Sequence, residues 1–225
     1  MFKKNKLDFF SKIIIFVLMI MLIQVVQIPI LFIVNSKAIN LESILFGLLY
    51  IILFVIGIWI SLYVFKHNDG KLNLKLKLNH YVMVLVAYFS FMIVQIILNT
   101  LNYSFFNETS TANNQSIETL LGSNQIVLIV MMISMIFLSP ILEETIFRGI
   151  FINFFFKPTQ FYLPIILSGF LFSLFHQSDT IISFLMYACL GSILAYLYKK
   201  TGNLKVSILL HFVNNLIAGI ILIFG

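Results

Sequence analysis

Seven apolar runs divide the chain: residues 13–34, 44–65, 81–98, 125–138, 161–175, 181–198 and 206–224. A bilayer core needs about 20 residues of helix, with a range of about 17–25. Several runs meet that length alone, and the shorter ones meet it with their flanks. Closed barrels also span membranes, but their strands alternate with period two. These runs do not alternate. Composition agrees, with 61% of the 225 residues hydrophobic and 10% charged. A soluble domain has roughly 45–50% and about 25%. The sequence predicts an all-α fold: a polytopic membrane helical bundle of about seven transmembrane helices, one integral membrane domain over residues 1–225.

The net charge of +6 raises the question of nucleic acid. The positions of the basic residues answer it. Lys3, Lys4, Lys6 and Lys12 precede the first run, and Lys66, Lys71, Lys75 and Lys77 separate the second from the third. Arg148 and Lys157 follow the fourth, and Lys199, Lys200 and Lys205 separate the sixth from the seventh. With the N-terminus inside, every basic residue except Lys37 falls on the cytoplasmic side. This is the positive-inside pattern. It places the N-terminus in the cytoplasm and the C-terminus outside, and it makes the bilayer, not nucleic acid, the partner of the charges. The first run exceeds the 7–15 residues of a signal-peptide core, and no small-x-small site follows it. It is expected to remain as an anchor. Cys189, the one cysteine, lies inside an apolar run and is expected to be a packing residue.

Two polar segments stand out. Residues 66–80 are basic and read as a cytoplasmic interfacial loop whose lysines snorkel to phosphates. Residues 99–124 hold no lysine or arginine and read as a long outer loop.

The exception to this oil-like chain is SPILEETIFRG, residues 139–149. Ser139-Pro140 has the look of an N-cap followed by the first helical position. It predicts two helical pieces joined at a kink within a helix from Gln125 to about residue 156. Such a helix is about 48 Å long, with Glu143 and Glu144 near its middle. Ionisable groups at that depth are costly and face the bundle interior, paired or functional. Glu144 and Arg148 are i and i+4 with the acid first, the favoured order for an ion pair. Glu143 points about 100° away and has no partner nearby in sequence.

A partner is available on the next helix. Positions 143 and 176 average 159.5, which falls within the turn around Lys157-Pro158-Thr159-Gln160, so an antiparallel hairpin sets Glu143 level with His176. The last run contains HFVNN, in which His211 and Asn215 share a face. Counted from a turn near Gly202, His211 lies about 8 Å shallower than His176. The six side chains form a polar cluster drawn from three helices. Two histidines and a carboxylate, His176, His211 and Glu143, suit zinc with water as the fourth ligand. Alternatively Glu143 and His176 polarise a water, while His211 and Asn215 donate to an oxyanion. Either scheme hydrolyses an amide. A third use of the same groups is a network that only holds helices together.

EETIFR resembles the EExxxR motif of the CAAX prenyl endopeptidase/Abi family of intramembrane proteases, also called CPBP. FSLFH (Phe172 to His176) resembles its FxxxH motif, and HFVNN (His211 to Asn215) its HxxxN motif. The resemblance covers about residues 125–220, with 125–225 as the implied catalytic core. It implies that Glu143 and His176 activate the attacking water, that His211 and Asn215 stabilise the oxyanion, and that Glu144 and Arg148 brace the site. Within the family both zinc and metal-free glutamate mechanisms are discussed. The implied substrate is a membrane-associated peptide or protein. Bacterial members are linked to bacteriocin self-immunity and peptide processing, and the Asn-, Lys- and Ile-rich composition suits a bacterial cell membrane. Two rival classes are a non-catalytic immunity or binding protein and a proton-coupled carrier. A carrier should show paired halves, and the sequence has none.

Overall fold

The computed structural model of the protein describes residues 7–36, 39–68, 70–72 and 74–224. Lys3, Lys4, Lys6 and Lys37, which carry part of the charge argument, lie outside the described residues. Every regular element among the described residues is helical. Among the described residues, six helical segments are long and apolar enough to cross a membrane. The first is α1 (Phe9–Val25) followed by α2 (Ile28–Ile33), then α3 (Leu41–His67) and α4 (Leu78–Phe106). The fourth is a 31-residue composite, Gln125–Phe155. The last two are α10 (Ile181–Thr201) and α11 (Leu204–Phe224). The seventh predicted element, α9 (Tyr162–Leu174), has only 13 residues. The expectation of about seven spans is met by six long helices and one short one.

The molecule is apolar outside, and its apolar core encloses a small set of buried polar and charged groups. Leu48, Ile52, Trp59, Val86, Ile96 and Ile166 are all more than half exposed, a surface that water would reject and acyl chains accept. One continuous core runs from Met19 to Leu210. Within it the close helix contacts use small residues, as expected where lipid supplies no hydrophobic drive. A Cβ on Gly191 of α10 would lie 2.8 Å from Phe172 Cβ and 3.0 Å from Gly169 Cα on α9. α9 and α10 therefore touch backbone to backbone. Gly202 ends α10 in the left-handed region (φ 62°), and its N–H reaches the Tyr198 carbonyl at 2.8 Å. This cap suits glycine and turns the chain into α11.

The composite helix differs from the expected kink. It runs as α6 (Gln125–Ile133), a π-turn (Ser134–Leu138), α7 (Ser139–Glu144), a second π-turn (Thr145–Ile150) and α8 (Phe151–Phe155). A break does fall beside Pro140, but Ser139 is not an N-cap. Its backbone is helical (φ −60°, ψ −47°), and its N–H reaches back five residues to Ser134 O. The wider register absorbs a proline that would clash with the carbonyl four residues before it. The helix swells instead of stopping.

The segment 99–124, expected as a loop, is largely helical. α4 continues to Phe106, and a further helix, α5 (Ala112–Leu121), follows. Thr111 caps α5 by accepting from the Asn114 N–H at 3.3 Å. Polar composition concealed a polar helix. Cys189 also differs from expectation, since it faces outward from α10 and does not pack in the core.

Candidate active site

Glu144 is the centre of the charged cluster. Its Oε1 accepts from Arg148 Nη1 at 2.7 Å and from His211 Nδ1 at 2.9 Å. Arg148 Nη2 donates to Gly191 O at 2.8 Å. Both charged side chains are fully buried, and His211 is nearly so. Two ions thus tie α7 and the second π-turn to α10 and α11. The close approach at Gly191 brings its carbonyl within reach of Arg148. Phe172 of α9 lies under the guanidinium, 4.6 Å from the Arg148 Cζ to the ring centroid. Stacking of this kind favours arginine over lysine.

Glu143 takes the other face of α7, as the 100° spacing predicted, and is half-buried. Its Oε1 accepts from Ser139 Oγ, one turn earlier. The expectation that Glu143 lacks a sequence-local partner is therefore corrected. A Ser139 inside the helix stands at i−4 to Glu143, whereas a cap would have spent its hydroxyl on backbone N–H groups. Glu143 Oε2 is buried without a hydrogen-bond partner, as are Glu144 Oε2 and Arg148 Nε.

His176 emerges just beyond the end of α9. Its Nδ1 meets Phe172 O at 2.7 Å. A carbonyl only accepts, so Nδ1 carries the proton and Nε2 presents a lone pair. The ring stacks on Tyr187 of α10, with centroids 4.7 Å apart. Glu143 and His176 make no direct hydrogen bond, but they lie within electrostatic reach of each other. The hairpin argument thus brings the two together without joining them.

The Phe172 ring lies against both histidines, 4.1 Å from the His176 ring and 5.8 Å from the His211 ring, centroid to centroid. His211 pairs with Glu144, a contact that the sequence reading did not foresee.

Asn215 is placed by Pro140. In the π register the Ser139 N–H uses Ser134 O, so the next donor, at position 140, would use Met135 O. Proline has no N–H. Asn215 Nδ2 supplies the bond instead, at 2.9 Å. One N–H of that amide is thus used as an anchor and one remains. The arrangement makes a testable prediction. Asn215→Leu strands a carbonyl and should cost about 1–3 kcal/mol of stability in detergent. In a Pro140→Ala background a new N–H is present, and the same substitution should cost less. Equal losses of melting temperature in both backgrounds would contradict the account.

All six predicted residues therefore gather where α7, the second π-turn, α9, α10 and α11 meet. Glu144, Arg148 and His211 form the closed part, while Glu143, His176 and Asn215 are half-buried around it. Sequence reasoning missed Ser139 as a partner, Tyr187, and the carbonyls of Gly191 and Met135. Ser139 was findable at i−4 to Glu143, but backbone acceptors leave no mark on a sequence.

The chain is thus a helical bundle with a buried Glu–Arg–His set beside a half-buried Glu and His. A family model described as Rce1-like, type II CAAX prenyl endopeptidase Rce1-like, matches residues 125–217. That family is one of proteases, and the match supports the CAAX-protease resemblance of this stretch; α1 to α5 lie outside it. No curated protein and no solved structure matches the chain.

Proposed function

We propose that the chain is an intramembrane endopeptidase that hydrolyses peptide bonds of membrane-associated peptides or proteins. The observation that carries this reading is Glu143 Oε2. It is a buried carboxylate oxygen with no partner, on a residue within electrostatic reach of a histidine whose Nε2 is free. Leaving such an atom unmatched costs about 1–3 kcal/mol or more, a cost removed when a water or substrate group donates to it.

The steps follow from these groups. A water donates one hydrogen bond to Glu143 Oε2 and one to His176 Nε2. Glu143 takes its proton as the oxygen attacks the scissile carbonyl carbon. The C=O π pair moves onto oxygen. Asn215, with one N–H still free, donates to that oxyanion. His211 donates from Nε2 when it carries both protons, with Glu144 accepting the Nδ1–H. The intermediate collapses as the C–N bond breaks, and the proton held by Glu143 passes to the departing amine.

Zinc is the alternative use of Glu143, His176 and His211. Each histidine spends Nδ1 on an oxygen acceptor and leaves Nε2, as a metal ligand would. Among the described residues, however, no three His, Cys, Asp or Glu side chains converge on one ion, and no step above passes through a metal. Stoichiometric zinc in the purified protein, lost in both His176→Ala and His211→Ala, would establish the metal-assisted route.

Orientation belongs to the same proposal, with the N-terminus cytoplasmic, the C-terminus outside and α5 on the outer face of a bacterial cell membrane. Reporter fusions after Lys77 and Lys200 should read cytoplasmic, and one at Asn113 external. A cytoplasmic signal at Asn113 would invert the assignment. Bacteriocin self-immunity and peptide processing are the roles that fit such an enzyme. The test of hydrolysis is whether substitution at Glu143 removes any self-protection or processing the wild type confers. A binding-type immunity protein would keep it.

A further inference from the structure

His176 stands just outside its helix, where α9 offers it the Phe172 carbonyl and the Phe172 ring, 4.1 Å between centroids. α9 rises only about 20 Å over its 13 residues, whereas a bilayer core is about 30 Å thick. α5 lies against the turn that follows α9, residues 175–180. The Asn113 N–H donates to Gln177 O at 3.2 Å, and Ser116 Oγ donates to Gln177 Oε1 at 2.6 Å. From α10, the Tyr187 hydroxyl pairs with Thr111 Oγ1 at 2.8 Å and reaches Asn114 Oδ1 at 3.4 Å. The same Tyr187 lays its ring on His176, with planes 24° apart. Both Thr111 and Tyr187 are buried.

Tyr187 thus has two ends with different duties. Its ring is the one flat surface that α10 offers His176, and its hydroxyl is tied to the cap of α5. A buried hydroxyl without a partner would be costly, and here the partner is the residue that caps α5. We infer that Tyr187 is a positioning residue for His176, holding the ring so that Nε2 faces the reacting water, and that its hydroxyl makes the docking of α5 part of assembling the site. The inference rests on the protease reading for its catalytic consequence but not for its structural one.

The test uses the full chain in detergent, with ¹⁵N-labelled histidine. The signals of His67, His80, His176 and His211 are assigned by single replacement. In the wild type His176 should show one neutral tautomer, protonated at Nδ1. In Tyr187→Leu it should show a mixture, and turnover should fall about tenfold with KM changed by less than about twofold, the scale of one aromatic pair. Tyr187→Phe should restore the single tautomer and most of the turnover, while amide exchange in α5 stays fast. Thr111→Val should match Tyr187→Phe. If Tyr187→Leu keeps the wild-type tautomer, with or without a loss of melting temperature, Tyr187 is packing only and the inference is overturned. If the tautomer changes as expected but no variant, the wild type included, cleaves peptide, the protease reading fails and the positioning inference stands.

Discussion

Glu143→Gln should yield a protein that inserts, accumulates and melts like the wild type, yet turns over about 10²–10⁴-fold more slowly, the usual worth of a general base. The stability half of this expectation comes from the geometry. Glutamine keeps an oxygen for Ser139 Oγ, and no cation bonds directly to Glu143. The catalytic half comes from Oε2, which in glutamine becomes an amide that donates and cannot take a proton. His176→Ala should lose turnover similarly, since it removes the second acceptor for the water, with a modest loss of melting temperature from the freed Phe172 carbonyl and the lost ring contacts with Phe172 and Tyr187. His211→Ala loses a buried contact as well, so its turnover and melting temperature should fall together. A Glu143→Gln protein with wild-type turnover would remove that residue from the mechanism.

Arg148→Ala should have the largest effect on stability. Breaking a buried pair by removing one partner costs about 3–5 kcal/mol, because the remaining charge is stranded. Here the stranded group is Glu144, which is fully buried, with only the His211 contact left. Arg148→Lys should rescue little. One ammonium on a flexible stem cannot reproduce two directed bonds, to Glu144 and to Gly191 O, together with a flat contact on Phe172. Melting in detergent checks this, with activity expected to follow the folded fraction. A wild-type melting temperature for Arg148→Ala would mean that the pair does not brace the site.

The contrast between these two carboxylates was legible in the sequence. Adjacent residues on a helix face different ways, and only Glu144 had a cation at i+4. The helical runs and the three motifs were legible for a similar reason, since periodicity and spacing report which side chains share a face. The register of the backbone was not. Nothing in apolar periodicity tells an i−4 bond from an i−5 bond, so the π-turns around α7 were read as a capped kink and Ser139 was given the wrong duty. The same blindness hid Met135 O and Gly191 O, the acceptors that hold Asn215 and Arg148. α5 was missed because a polar helix docked on polar groups has the composition of a loop. Tyr187 was missed because one tyrosine in an apolar run reads as packing, and only the contact with His176 shows otherwise.

The pairing of His211 with Glu144 was not legible either, because the two residues lie 67 positions apart and share no helix.

The measurement that bears most directly on the central claim compares the membrane peptides of two cell populations, one carrying the wild-type protein and one carrying Glu143→Gln at equal membrane abundance. The account predicts peptide fragments, with new termini inside or beside apolar segments, that appear with the wild type alone, while their intact precursors accumulate with the variant. Identical sets of fragments and precursors in the two populations would contradict it.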